Sequence, residues 1–176
     1  MKVMRWLNLQ GESSSQKSFI ANGMLGKLSR WLRLLGYDVL YFHDIEDDEL
    51  LERAKRSNRI LLTKDFTLYK RALMSNIEAV MLRGKDLEED LALLASLNLI
   101  NLEFNENSTR CPLCNAKLRV TRDKDEVKNT VPPNILEKYC FFWICDGCGK
   151  VYWLGSHWNS INKSLLKAKL LTKKFG

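Results

Sequence analysis

Phe19-Ile-Ala-Asn-Gly-Met-Leu-Gly-Lys-Leu-Ser-Arg-Trp-Leu-Arg-Leu-Leu-Gly36 is the stretch that decides the fold. Its first three residues form a short apolar run that suits a buried strand. Met24, Leu25, Leu28, Trp31, Leu32 and Leu35 then recur at helical spacing, and Gly36 stands where a helix stops. The same alternation continues downstream. Val39-Leu-Tyr-Phe42 reads as a second strand, and Asp47 opens a helix to about Ser57 with Leu50, Leu51 and Ala54 facing inward. Ile60-Leu-Leu-Thr63 is a third strand, followed by a helix that starts near Asp65. Ile77 to Leu82 is a fourth, and Asp86-Leu-Glu-Glu opens a helix carrying Leu87, Leu91, Leu94 and Leu97. Four strand–helix alternations with short connections predict an α/β fold with an open, largely parallel sheet flanked by helices.

On either side of this region the texture changes. Gly11 to Lys17 is polar, so residues 1–17 read as a leader or linker. After Asn101 cysteine pairs appear, which sets the expected boundary near 105: an α/β domain over 18–104, then a small cysteine-bearing domain over 105–176. Pro132-Pro133 is expected to exclude a helix at that point. From Asn159 onward there are five lysines, no acid, and leucines at 165, 166 and 170, which predicts a basic amphipathic helix. The chain has 176 residues, 45% apolar and 28% charged, which excludes a wholly disordered protein. No apolar run approaches the ~20 residues of a membrane span, and Met1 to Gln10 lack a secretory pattern, so a cytoplasmic location is expected. Five cysteines, an odd number, favour metal ligation or free thiols over a disulfide framework. Residues 1–100 hold 15 Lys/Arg against 14 Asp/Glu, whereas 101–176 hold 13 against 7. The excess points to a polyanion as partner.

In open α/β sheets ligands bind beyond the carboxyl ends of the strands. Asn22, Asp44, Asp65 and Asp86 follow strands one to four, and Asp47, Asp48 and Glu49 start the second helix. Carboxylates converging on one edge repel unless a hard cation lies between them. Mg²⁺ or Mn²⁺ takes such oxygen ligands and serves phosphodiester hydrolysis. Asp86 with Glu89 is better read as a helix cap. Asp47 suits cap and ligand equally. Asp65 can cap a helix and also join the site, and Asp44 has no evident capping task. Lys27, Arg30 and Arg33 recur every three residues just after Asn22, a row placed for a phosphate backbone or else an ordinary solvated face.

Cys111-Pro-Leu-Cys114 and Cys145-Asp-Gly-Cys148 are paired knuckles whose four thiolates suit a tetrahedral structural Zn²⁺. The 30-residue interval between them requires a hairpin or loop. Cys140, among Tyr139, Phe141, Phe142 and Trp143, reads as a buried thiol, and His157 has no assigned role. Tyr152, Trp153 and Trp158 read as ribbon core or as rings for stacking on unpaired bases.

The stretch Phe19 to Gly36, Ile60-Leu-Leu-Thr-Lys-Asp65, Cys111-Pro-Leu-Cys114 and Cys148-Gly-Lys-Val-Tyr-Trp-Leu-Gly-Ser-His-Trp158, in this order, closely resemble the Mut-seven C-terminal ribonuclease family. The resemblance implies a PIN-like nuclease domain followed by a zinc ribbon. It implies an endoribonuclease cutting RNA at acidic residues that hold Mg²⁺ or Mn²⁺. Asp65 matches the family's acid after Thr-Arg, and Asp44, Asp47 and Glu49 fall in its acidic stretch. Asn22 departs from the family's aspartate before Gly-Met-Leu-Gly; an amide keeps one oxygen donor but loses charge and basicity. A catalytically silent RNA-binding protein, associated with ribosome or tRNA, is the alternative, and a protein-interaction zinc ribbon is a third.

Overall fold

A computed structural model describes residues 17–175, so the leader expected over 1–17 lies, but for Lys17, outside the described residues. Four strands form the larger sheet: β1 (Ser18–Ala21), β2 (Asp38–Tyr41), β3 (Ile60–Thr63) and β4 (Ala79–Met81). All pairings are parallel, in the order β2-β1-β3-β4. Helices α1 (Gly26–Leu34), α2 (Asp47–Arg56), α3 (Phe66–Met74) and α4 (Leu87–Ser96) connect or follow the strands. Strand alternation sorts the core into two layers. Phe19, Ala21, Ile60 and Leu62 face α1 and α4, while Ile20 and Leu61 face α2 and α3. A strand covered on both faces must be apolar throughout, which is why Ile60-Leu-Leu-Thr63 shows no polar alternation.

The helices stop by a common device. Asn58, Asn76 and Asn98 follow α2, α3 and α4 with φ of 49°, 56° and 54°. Asparagine tolerates this left-handed conformation and ends the helix as glycine does. Gly36 does so after α1 at φ 95°, where a Cβ would lie 2.9 Å from the Ser108 carbonyl oxygen.

The chain leaves β1 for β2 on one side, then crosses back to β3 on the other. The crevice between β1 and β3 is therefore the topological switch point, where ligands bind in such sheets. Asn22 follows β1 there, and Lys64-Asp65 follow β3.

A smaller antiparallel sheet holds β5 (Leu118–Thr121), β6 (Phe142–Cys145) and β7 (Val151–Tyr152) in that order. Contrary to expectation, Pro132-Pro133 starts a helix, α5 (Pro133–Lys138). Proline is accepted in a first turn, where its missing N–H is not needed. Helix α6 (His157–Thr172) also departs from the sequence reading. It does not extend the small domain but returns to the large one, where Leu165 and Ala168 are buried with Leu91 and Leu94 of α4. Lys167 pairs with Asp86 at 2.7 Å, and Ser164 donates to Glu88 at 2.7 Å. Among the described residues no helix is long and apolar enough to cross a membrane.

Candidate functional site

Strand β1 delivers Asn22 to the carboxyl edge of the sheet. Its carbonyl accepts from Leu25 N at 3.0 Å, which starts the 3₁₀ turn Gly23–Leu25 ahead of α1. Its side chain makes no capping bond, and Oδ1 is buried without a hydrogen-bond partner. A plain Asn-Gly turn would spend that oxygen on the backbone; here it is out of water and unpaired. Gly23 makes the placement feasible, because a Cβ there would fall 2.5 Å from the His43 carbonyl oxygen. Tyr41 then locks the turn to β2 by donating its hydroxyl to Gly23 O at 3.0 Å.

Asp65 has both tasks open to it. The residue is exposed; as N-cap of α3 its Oδ1 accepts from Thr67 N at 2.6 Å and Leu68 N at 3.0 Å, leaving Oδ2 without a protein partner among the described residues. Its own N–H donates to Thr63 Oγ1 at 3.0 Å, which ties the loop to the end of β3. Asp44 is exposed, in the bend after β2. Asp47 is not a cap, since Glu46 occupies that position; its Oδ2 accepts from Arg71 of α3 at 3.1 Å. Asp48 pairs with the same guanidinium. Asp86 caps α4 by accepting from Glu89 N at 2.9 Å, while Glu89 accepts from Lys85 N at 2.9 Å. Among the described residues no three carboxylates converge closely enough to share one ion; the four cysteines alone do so.

One buried pair at this edge escaped the sequence reading. Asp90, 3% exposed, binds Lys64 Nζ at 2.9 Å and accepts from Gly84 N at 2.9 Å. Lys64 also donates to Gly84 O at 2.9 Å. Burial pushes the Asp90 carboxyl up, and Lys64 opposes this. The pair fixes the residue next to Asp65 against the loop after β4. Its signal was Asp90 sharing the buried face of Leu87, Leu91 and Leu94.

The cysteine cluster is assembled as the spacing predicts. The sulfurs of Cys111, Cys114, Cys145 and Cys148 all lie within 4.8 Å of one another, with contacts of 3.6 Å (Cys111 to Cys148) and 3.3 Å (Cys114 to Cys145). Tetrahedral Zn²⁺ with bonds of about 2.3 Å has sulfur–sulfur edges of about 3.8 Å, so the donor set fits zinc with little movement. Burial opposes ionisation of Cys111, but hydrogen bonds from Tyr152 and from nearby backbone N–H groups bring it down to about 6. Burial pushes Cys145 up to about 12, and Cys148 is also raised. A bound cation would favour the thiolate forms of the raised Cys145 and Cys148. Cys140 is exposed and outside the cluster, contrary to the buried thiol expected of it, and His157 opens α6 on the surface.

Arg33 does not belong to a phosphate-facing row. It is 6% exposed, and its guanidinium is enclosed by carbonyls. Nε and Nη2 donate to Val39 O at 3.1 and 2.8 Å; Nη1 donates to Pro112 O at 3.0 Å and Leu113 O at 2.9 Å. Burial lowers its pKa, while the charges of Cys111 and Cys114 favour the cation. Arg33 is thus a clamp between β2 and the first knuckle, and it offsets thiolate charge. Asn115 adds to the junction, accepting from Val39 N at 3.1 Å and donating to Asp38 Oδ1 at 2.7 Å. Lys27 and Arg30 are exposed and without an ion-pair partner among the described residues.

With this geometry in view, comparison with protein families finds one matching description, "Mut7-C RNAse domain", over residues 17–165. Comparison with curated proteins and with solved structures finds no match.

Proposed function

Since the chain belongs to the Mut7-C RNase domain family, we propose that it is a metal-dependent endoribonuclease whose site is the β1–β3 crevice, with a structural zinc in the cysteine cluster. The observation that carries this reading is the buried, unpartnered Oδ1 of Asn22 at the switch point of the sheet. An oxygen held dry and unpaired after β1, with a carboxylate, Asp65, following the neighbouring strand β3, supports a hard cation at this edge. Asp44 and Asp47, in the segment leading into α2, are the further acids proposed for the set, although in this structure they do not converge with Asp65 on one point. Mg²⁺ or Mn²⁺ would supply the charge that lowers the pKa of water and offsets the phosphodiester's negative charge.

The remaining roles fall to the chain. Asp65 is held in register by the bonds from Thr67, Leu68 and Thr63. Arg71 of α3 pairs with both Asp47 and Asp48 and so ties the start of α2 to the helix that Asp65 caps. Lys27 and Arg30 meet the phosphates of the strand, and the net charge of +7 brings the polyanion in. Asn22 keeps a ligand oxygen without its charge, so metal affinity and cleavage are low. A reducing cytoplasmic setting, where thiolates persist as ligands, is part of the same proposal.

Asn22 also favours a second reading, an RNA-binding protein that keeps the fold without cutting. Incubation of the zinc-loaded chain with an end-labelled single-stranded RNA and Mn²⁺ separates the two. Slow internal cleavage, stopped by a metal chelator and by Asp65→Asn, supports the nuclease. Retained RNA without any cut supports the silent binder.

A further inference from the structure

We propose that the cavity between α1 and the small sheet is a pocket for one unpaired nucleobase of an RNA strand. This rests on the RNA partner proposed above and adds where and how a base is held. The cavity measures about 270 Å³ and is walled by Trp31, Trp143, Tyr152, Trp153 and Trp158, with Arg30 among its lining. Pockets for drug-sized ligands begin near ~300 Å³, so this one has room for a single heterocycle.

Two of the rings are framework. Trp143 is 2% exposed, donates its Nε1–H to Glu106 O at 2.9 Å and meets Phe141 edge-on at 4.9 Å. Trp158 meets Phe104 edge-on at 4.5 Å. The Tyr152 hydroxyl is turned away to Cys111 Sγ at 3.1 Å. Trp31, on α1, and Trp153, just after β7, are partly exposed and have no ring partner among the described residues. Each packs on the core of its own sheet while lining the cavity, and base–aromatic stacking accepts any base because every base has a π face.

Arg30 identifies the guest as anionic at one end. It is the sole charged side chain lining the cavity and has no ion-pair partner among the described residues. Lys27, one turn earlier on α1, is exposed and equally unpaired. Asn22 and Arg30 are eight residues apart, the first half through the 3₁₀ turn and the second along α1, a span on the order of 15 Å at about 2.0 and 1.5 Å per residue. A strand anchored in the pocket by one base therefore passes Lys27 and reaches the β1–β3 crevice within a few nucleotides. An apolar peptide would use the rings but would leave both cations without a purpose.

The test titrates the zinc-loaded chain with adenosine 5′-monophosphate, uridine 5′-monophosphate and ribose 5-phosphate, reading tryptophan fluorescence and indole N–H resonances. Both nucleotides should perturb Trp31 and Trp153, and ribose 5-phosphate should not. Trp31→Leu and Trp153→Leu should each weaken binding of a single-stranded RNA dodecamer about tenfold or more, and Trp153→Phe should recover most of it. Equal responses to ribose 5-phosphate and the nucleotides, or no response, would overturn the pocket. So would leucine variants that keep their zinc and bind the dodecamer unchanged. If a leucine variant loses zinc, the resonance shifts of the unsubstituted chain decide. Nucleotide binding with no cleavage, even after Asn22→Asp, leaves the pocket standing and removes the nuclease reading; cleavage without nucleotide binding removes the pocket alone.

Discussion

Replacing Arg33 by methionine keeps most of the aliphatic stem and deletes the guanidinium. Three carbonyls, of Val39, Pro112 and Leu113, then lose their donor. A hydrogen bond to a charged group contributes about 1.5–3 kcal/mol net, and a buried acceptor left unpaired costs about 1–3 kcal/mol. Val39 O is buried, whereas the bonds to the two knuckle carbonyls are only partly so. Water recovers part of the loss at those two, and Asn115 still pins Val39 N. The expected destabilisation is about 3 kcal/mol, with Arg33→Lys recovering only a minor part because an ammonium cannot span three acceptors. Urea unfolding of the zinc-loaded proteins measures this, and competition with a chelator should show faster zinc release from the methionine variant. A loss below about 0.5 kcal/mol, the level of a solvated surface cation, would refute the clamp and return Arg33 to the exposed row.

Further outcomes follow from the same geometry. One zinc per chain should be held by Cys111, Cys114, Cys145 and Cys148; chelation should expose the amides of β5 to β7 while those of α6, docked on α4, stay protected in hydrogen exchange. Zinc affinity should rise with pH, because the raised Cys145 and Cys148 thiols must give up protons on binding; calorimetry in buffers of differing ionisation enthalpy counts them, and no proton release at neutral pH would contradict the thiol assignment. Lys27→Gln with Arg30→Gln should flatten the log–log salt dependence of single-stranded RNA binding by roughly 0.7 for each phosphate that is no longer neutralised, whereas an unchanged slope would remove both from the interface. Asp90 has a raised carboxyl pKa, so its contribution is fully present below the unfolded value near ~3.9 and declines as pH rises through the folded value; Asp90→Asn should abolish that part of the pH dependence of stability, and a curve parallel to the parent's would argue against a buried charge.

The larger sheet was legible because its signals are local. Ile60-Leu-Leu-Thr63 forms the expected strand residue for residue, and the helical spacing from Met24 to Leu35 lies within a dozen adjacent residues that fold as the 3₁₀ turn and α1. The cysteine cluster was legible because thiolate spacing encodes metal geometry. Arg33 was not, since helical periodicity sees only α1 itself, and two of the three carbonyls that enclose it lie 79 and 80 residues away. The destination of α6 was hidden for the same reason. Its lysines read as a free basic face, yet Lys167 is matched to Asp86 and Leu165 to the α4 layer. Pro133 misled because a proline both ends and begins helices, and only its neighbours in space tell which. Asp90 sat on an apolar face whose leucines drew the attention, while its partner Lys64 stood beside an acid already assigned.

The cation site proposed at the β1–β3 crevice stands or falls on the buried oxygen of Asn22. Asn22→Asp places a carboxylate where Oδ1 is now dry and unpartnered. Without metal the variant should be less stable, because a desolvated charge has no counterion there. With Mn²⁺ that loss should be recovered, and single-stranded RNA should be cut at least about tenfold faster than by the unsubstituted chain, the scale of change that even second-sphere ligand substitutions reach. Measuring melting temperature and cleavage for both proteins, with and without Mn²⁺, tests this most directly. Equal cleavage by the two proteins, together with a melting temperature of Asn22→Asp that Mn²⁺ does not raise, would contradict it.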